Sequence, residues 1–410
     1  MMTAVVQRLC TWYRSCRREL PWRANRDPYR IWVSEIMLQQ TRAAAVIPYY
    51  RRFLEKLPGV RELADCPEDE LMKLWEGLGY YSRARHMRET ARIIRDRYGG
   101  IFPSDPEALQ ALPGIGRYTA GAVASIAYGV PVAAVDGNVL RIFSRLTCSR
   151  EDILRDKVKR ETEKCLTAAI CEAMEMAENA SVSQECARTD ADCSGETGGG
   201  EAAADKNAAG LEQAGTFPGD VNQGFMDLGA TVCLPHTQPL CGQCPLSDIC
   251  GAHLSGKEMD YPVRRQQRHR RMEDRTVLLI TDGSRVALRR RPEKGLLAGL
   301  YEYPCAEGHL TQKQALRETE SYGFDPVRIL PLPSAVHIFT HLEWHMTGYE
   351  IRVSPFRESR EDDGLFLADI ADAEKTYAVP SAYRTYSEIL TTRTVKKDDP
   401  ETGSKVEKEA

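Results

Sequence analysis

The sequence predicts two domains of different class: an all-α domain over residues 1–255 and an α+β domain over residues 275–390. Three observations carry that prediction. Apolar residues recur at three- and four-residue spacing through residues 1–170, broken only by the short turn signals PGV (58–60), PSDP (103–106) and LPGIG (112–116). From Thr276 the texture changes to short β-type runs, TVLLI, RVALRR and the alternating AVHIFTHLEWHMTGYEIRV. Between the two regions, four cysteines fall within 18 residues. A chain of 410 residues is long enough for two separate cores.

The elements follow in order. The first twenty residues are Arg-bearing and almost free of acids, but they lack an uninterrupted apolar core, so they read as the amphipathic first helix rather than a targeting segment. Residues 178–215 are small and acidic with almost no large apolar side chains, a composition that predicts a disordered insert. Helical pattern resumes at Asp220 and runs into the cysteine segment, 233–250. Residues 256–274 form a basic linker containing RRQQRHRR (264–271), and residues 391–410 form a charged tail.

Composition narrows the function classes. No stretch approaches the ~18–20 apolar residues that cross a bilayer, so no membrane role is expected. Thirteen cysteines, an odd number unevenly spread, argue against a disulfide scaffold and for a reducing, cytoplasmic setting. The net charge of −4 conceals an asymmetry. Residues 1–150 carry 23 Lys+Arg against 15 Asp+Glu, whereas residues 171–215 carry 2 against 10. The helical region is therefore the part suited to a polyanion.

Four constellations carry chemistry. Cys233-x7-Cys241-x2-Cys244-x5-Cys250 has metal-ligand spacing. Its single close pair and uneven steps favour a [4Fe–4S] cubane, with zinc or structural thiols as alternatives. LPGIGRYTAGA (112–122) places Gly114 and Gly116 before a helix, where backbone N–H groups could cradle a phosphate; a tight interhelical turn is the alternative. In IWVSEIMLQQTR (31–42), Glu35 has Ile31, Trp32 and Leu38 among its four helical neighbours. A carboxyl on that face is expected to be desolvated, with the raised pKa of a general acid, unless it reaches water at the stripe's edge. In VPVAAVDGNVLRIFSRL (130–146), Asp136 precedes a helix and is either a plain N-cap or a carboxylate kept ionised by helix-start N–H groups. One raised and one lowered carboxyl, the first protonated and the second ionised, is the division of labour for breaking a glycosidic bond.

Seven motifs then combine with the cysteines: LPWR (20–23), WVSEIMLQQTR (32–42), GLGYYSRAR (77–85), LPGIGRYTAGA, VDGNVLR (135–141), NQGFMDLGA (222–230) and EKGLLAGLYEYP (293–304). In this order they closely resemble the MutY family of adenine DNA glycosylases, within the helix-hairpin-helix, endonuclease III-like superfamily. The resemblance covers nearly the whole chain. It implies a helical glycosylase core with a helix-hairpin-helix at 112–122 and a [4Fe–4S] cluster on Cys233, Cys241, Cys244 and Cys250, followed by a Nudix-like domain. The implied partner is double-stranded DNA carrying adenine opposite 8-oxoguanine or guanine, bound by a monomer in the bacterial cytoplasm and associated with the nucleoid.

The same resemblance implies residue roles. Glu35 would protonate N7 of an extruded adenine, and Asp136 would stabilise the sugar cation or a covalent intermediate, with Tyr118 and Asn138 beside them. Trp22, Arg23 and Leu38 would line the adenine pocket, and Gln40 and Tyr80 would wedge into the duplex. Gln223 stands where some relatives place a glutamate against adenine. Phe339, Thr340 and His341 correspond to a lesion-sensing Phe-Ser-His segment, with Thr340 replacing the serine. Tyr118 stands where endonuclease III-like lyases carry a Schiff-base lysine, which implies a monofunctional glycosylase. The C-terminal region lacks the acidic Nudix signature, so no Nudix hydrolysis is expected. Two departures stand out: seven residues rather than six separate the first two cysteines, and the acidic insert is additional. The rival readings are a bifunctional glycosylase/lyase, opposed by Tyr118, and a non-catalytic DNA-binding protein, opposed by Glu35 and Asp136.

Overall fold

The computed structural model describes residues 1–189, 216–265, 270–355 and 364–395, and it divides into two compact units. The first comprises Met1–Asp65 and His86–Gln266, the second Cys66–Arg85 and Gln267–Ala410.

The first unit is helical. Its elements are α1 (Met2–Cys16), α2 (Pro28–Leu38), α3 (Ala43–Lys56), α4 (Val60–Asp65), most of α6 (Ser82–Arg97), α7 (Pro106–Gln110), α8 (Arg117–Tyr128), α9 (Gly137–Thr147), α10 (Asp156–Thr189), α11 (Pro218–Thr231) and α12 (Gly251–Leu254). Local chemistry sets the starts that matter for the site. Asp27 caps α2 by accepting from Tyr29 and Arg30 N–H, with Pro28 at the first helical position. Asp105 and Pro106 repeat the device at α7. Gly129, at φ 70°, closes α8. The core of this unit packs α1, α9, α10 and α11 through Val5, Leu9, Ile142, Ile170, Phe225 and Leu228, all essentially solvent-free.

The long helix α10 corrects one expectation. Residues 178–189, assigned to a disordered insert, are helical to Thr189. AENASVSQECART contains no Gly or Pro, and its Ala, Glu and Gln residues propagate a helix already nucleated upstream. Residues 190–215 of the expected insert lie outside the described residues.

The second unit is built on a seven-stranded mixed sheet of β1 (Arg271–Thr281), β2 (Arg285–Arg290), β3 (Tyr301–Glu302), β4 (Cys305–Glu307), β5 (Pro326–Ile338), β6 (Leu342–Val353) and β7 (Leu365–Asp369). Its main order is β3-β2-β1-β6-β5, with β1 and β6 parallel, β4 beside β1 and β7 beside β2. Within TVLLI the run from Val277 to Ile280 is continuously apolar because both faces of β1 are covered. Val277 and Leu279 pack with Trp344, Tyr383 and Tyr386, while Leu278 and Ile280 pack with Ala315 and Ile351. The helices are α13 (Gln312–Ser321), α14 (Ile370–Thr376) and α15 (Arg384–Val395). This strand-rich region starts at Arg271 rather than Arg275, and α15 continues past Leu390 to Val395.

The unit also includes a helical segment that the sequence assigned to the N-terminal domain: α5 (Glu68–Trp75) and the loop to Arg85. Polar contacts account for its placement. Lys73 Nζ donates to Tyr377 O at 3.2 Å, Val379 N donates to Glu76 Oε1 at 3.0 Å, and the Arg85 guanidinium donates to Ala298 O and to Glu68.

Candidate active site

Eight of the residues singled out in the sequence line one cavity of about 690 Å³ in the helical unit: Trp22, Arg23, Glu35, Leu38, Tyr118, Asp136, Asn138 and Gln223. Glu35 projects from the middle of α2 and is 4% exposed. Burial pushes its carboxyl up to about 7, with the Asp136 charge adding to the rise. A 2.7 Å hydrogen bond donated by the Tyr118 hydroxyl and the Arg23 charge offset part of it. Tyr118 itself is held far above the usual phenol range by burial and both carboxyls, so it stays a donor.

Asp136 caps α9. Its Oδ1 accepts from Asn138 and Val139 N–H, each at 2.8 Å, and Oδ2 accepts from Asn138 Nδ2 at 2.7 Å. Here the sequence expectation is corrected. The donors pull the Asp136 pKa down, but burial outweighs them and the carboxyl lies above its ordinary value. The pair is therefore not one raised and one lowered carboxyl; both are raised.

Two buried charges that the sequence reading passed over support this floor. Asp227, on α11, accepts from Arg23 at 2.8 and 3.0 Å and from Arg18 Nε at 2.7 Å, and these arginines hold its carboxyl below the usual range against the opposing effect of burial. The available signal was an acid on a mostly apolar helix within FMDLGA, which requires a cation. Arg141, one turn after Asn138, donates to Asn138 Oδ1 at 2.9 Å, Gly229 O at 2.8 Å and Cys233 O at 2.9 Å. It thereby joins the start of α9, the end of α11 and the first cysteine. Gly229 permits this approach, since a Cβ there would lie 2.6 Å from Asn138 Cβ. Met226 also lines the cavity, with its sulfur 3.8 Å from the Tyr118 hydroxyl.

Other predicted residues lie elsewhere. Gln40 is exposed in the turn after α2, at φ 60°, and does not line the cavity. Gly114 occupies the hairpin between α7 and α8 at φ 73°, with the His86 side chain where a Cβ would go. Gly116 is the N-cap of α8, and no side chain caps that first turn. Tyr80 and the 339–341 turn belong to the second unit. The Tyr80 hydroxyl and Thr340 Oγ1 are 2.6 Å apart. Phe339 is half-buried against His337 and Trp344, whereas Thr340 and His341 are exposed.

Cys233, Cys241, Cys244 and Cys250 are free thiols lining one small cavity with Arg145, His253 and Glu258. Burial pushes Cys241 up to about 11 and Cys244 to about 12, and neighbouring thiols add to both rises. Four convergent, unbridged thiols around one small cavity fit a cluster held by four thiolates. A mixed set of Cys241, His253 and Glu258 also lies within 4.8 Å, although His253 Nδ1 already pairs with Glu258 at 2.7 Å.

Comparison with known proteins agrees with this architecture. The profile of HhH-GPD superfamily base excision DNA repair proteins matches residues 33–167, and that of the NUDIX domain matches residues 276–388. A helical core of the first kind followed by a domain of the second defines a two-domain class of DNA repair protein. The adenine DNA glycosylase of Mus musculus is 30% identical over 449 aligned positions, covering 94% of this chain and 78% of the mouse protein. That of Rattus norvegicus is 31% identical over 409, covering 85% and 70%. That of Buchnera aphidicola subsp. Baizongia pistaciae is 30% identical over 307, covering 74% of each chain. The chain belongs to the adenine DNA glycosylase family. Among the described residues, no helix is long and apolar enough to cross a membrane.

Proposed function

We propose that this protein removes adenine paired with 8-oxoguanine, or with guanine, from double-stranded DNA by hydrolysing the N-glycosidic bond, as the first step of base excision repair. The observation that carries the reading is the buried Glu35 carboxyl, with a pKa of about 7, sharing one cavity with Asp136. The protonated Glu35 gives its proton to N7 of the extruded base. The C1′–N9 electron pair leaves with adenine, and positive charge develops on the sugar opposite Asp136, where water then adds. Tyr118 and Asn138 hold the two carboxyls. Trp22, Arg23, Leu38 and Gln223 frame the base, with Arg23 fixed by Asp227.

Extrusion itself is assigned to Gln40 and Tyr80 acting as wedges, and grip on one strand to the Gly114–Gly116 hairpin and the first turn of α8. Recognition of the opposite base is assigned to Phe339, Thr340 and His341. Among the described residues the lining of the cavity includes no lysine, and Tyr118 stands where a Schiff-base lysine would act, so the reading is a monofunctional glycosylase. Cys233, Cys241, Cys244 and Cys250 would hold a [4Fe–4S] cluster that braces the 233–250 loop. The protein is read as a monomer acting in the bacterial cytoplasm at the nucleoid.

The deciding experiment incubates the protein with a duplex containing adenine opposite 8-oxoguanine and resolves the strand with and without hot alkali. Scission that requires alkali supports the reading. Scission without alkali indicates a lyase, and an intact strand after alkali rejects glycosylase action on this pair.

A further inference from the structure

The motif GLGYYSRAR contains one residue whose geometry the assigned roles do not use. Residues 77–80 form a loop in which three of four backbones lie in the left-handed region: Gly77 at φ 96°, Gly79 at 69° and Tyr80 at 49°. Two are glycines, for which this conformation is nearly free. Tyr80 is not, and a non-glycine residue keeps this conformation only where its surroundings hold it there. Its side chain is 46% exposed, so burial of the ring does not impose it.

Arg83 does. It lies on the first turn of α6 and is buried, 9% exposed. Its Nη2 donates to Leu78 O at 3.1 Å and to Gly79 O at 3.0 Å, and its Nε donates to Tyr80 O at 3.4 Å. One guanidinium thus gathers the carbonyls of three successive residues, the last two of them left-handed. The same group stacks at 5.3 Å over the Trp75 ring and 5.5 Å over the Tyr80 ring. Trp75 is fully buried and donates its own Nε1–H to Gly79 O at 3.0 Å, which fixes the floor of the stack. Buried beneath the loop, the Arg83 guanidinium is a poor candidate for a phosphate contact. Only lysine shares its charge, and an ammonium cannot reproduce a planar fork that bonds three carbonyls while stacking on two rings.

We propose that Arg83 is the positioning residue for the Tyr80 ring: it holds the 77–80 loop in its left-handed conformation and presents the ring, in advance of binding, at the angle needed to enter a base stack. The proposal rests on the assignment of Tyr80 as a wedge. Preorganisation lowers the ordering cost that a mobile ring would incur at the moment of insertion.

Two readouts on the full-length chain separate the proposal from that assignment. The first needs no DNA. With 3-fluorotyrosine at position 80, ¹⁹F NMR should give one sharp line in the wild type and a broadened or split line in Arg83→Met. The second uses a duplex with adenine opposite 8-oxoguanine and 2-aminopurine next to the adenine, whose fluorescence rises on unstacking. Tyr80→Ala and Arg83→Met should each lower the unstacking equilibrium about tenfold, the scale of losing one base–aromatic stack, and Arg83→Met/Tyr80→Ala should be no worse than Tyr80→Ala alone. Arg83→Lys should lie between Arg83→Met and wild type in both readouts. An unchanged ¹⁹F line in Arg83→Met overturns the proposal, as do fully multiplicative effects in the double variant. If the line changes but Tyr80→Ala unstacks the duplex normally, the wedge assignment fails while the positioning of Tyr80 stands. Should Arg83→Met not fold, Arg83→Lys is read in the same way; if neither folds, Arg83 serves the fold and the proposal is wrong.

Discussion

The Tyr118 hydroxyl, from the first turn of α8, donates a 2.7 Å hydrogen bond to Glu35 Oε2 on α2. That bond favours the ionised carboxyl, whereas burial and Asp136 favour the neutral one, and the balance places Glu35 at about 7. Removing the hydroxyl in Tyr118→Phe deletes a contribution that lowers the pKa, so the carboxyl should rise further. A general acid must be protonated to act, so excision should decline as pH rises through the Glu35 pKa. In Tyr118→Phe that decline should move to higher pH. Single-turnover excision measured from about pH 5 to about pH 9 reads the limb directly, and a limb that stays in place or moves down contradicts the coupling.

Glu35→Gln should separate chemistry from stability. The amide cannot deliver a proton, so excision should fall by ~10²–10⁴-fold while duplex binding persists. Stability should move the other way, and the sign follows from linkage. The folded-state pKa of about 7 lies above the ordinary value of 4.5, so between those pH values the folded chain binds more protons and loses stability as pH rises. Gln does not ionise and escapes that loss. The variant should therefore gain on wild type between pH 4.5 and 7, reaching about 3 kcal/mol above that window. Urea midpoints at the two ends test this, and an equal difference at both would show that ionisation of Glu35 is not what burial penalises.

Asp136→Asn keeps an Oδ1 that can accept both helix-start N–H groups but turns an amide toward Asn138 Nδ2, which now donates to Oδ2. The lost bond is worth about 1 kcal/mol, and removing a desolvated charge offsets part of it. The thermal midpoint should therefore change little. Excision should collapse by about 10²–10³-fold, the scale of losing one group aimed at developing charge. A folded, fully active Asp136→Asn would reduce Asp136 to a cap.

Cys233, Cys241, Cys244 and Cys250 predict about four irons and four sulfides per chain in protein purified under anaerobic conditions, with a brown colour. Cys244→Ala should lower the iron content and the thermal midpoint together, because the 233–250 segment has short 3-10 turns and little core of its own apart from Leu246. Fully active protein loaded with zinc and free of iron would exclude the cluster.

What was legible in the sequence was local. Asp136 announces a helix start by its own chemistry, and TVLLI and the alternating run after Ala335 announce strands. The pairing of Asp227 with Arg23 was not legible, because 204 positions separate them and only the packed helices bring them together. Asp136 shows a subtler limit. Its donors follow from sequence position, but the burial that overrides them depends on what α9 packs against. The grouping of residues 66–85 with the C-terminal sheet was invisible for the same reason, since Lys73, Glu76 and Arg85 reach backbone atoms that no motif specifies.

That grouping also decides how the lesion-sensing assignment is best tested. Deleting the C-terminal region would strip residues 66–85 of the partners that hold them, so loss of discrimination in a truncated chain would not isolate the 339–341 turn. A point change does. His341 is exposed at the tip between β5 and β6, and it carries none of the core contacts that anchor Phe339 against Trp344. Its backbone carbonyl accepts from Arg271 N at 3.1 Å, a bond that His341→Ala retains. The variant should therefore fold normally and excise adenine opposite guanine at the wild-type rate. If the imidazole contacts the base opposite the target, losing one or two polar contacts removes ~1–3 kcal/mol of preference, roughly one to two decades. The measurement is the ratio of excision rates on duplexes carrying adenine opposite 8-oxoguanine and adenine opposite guanine. An unchanged ratio in His341→Ala, with Thr340→Ala likewise unchanged, would place discrimination outside this turn.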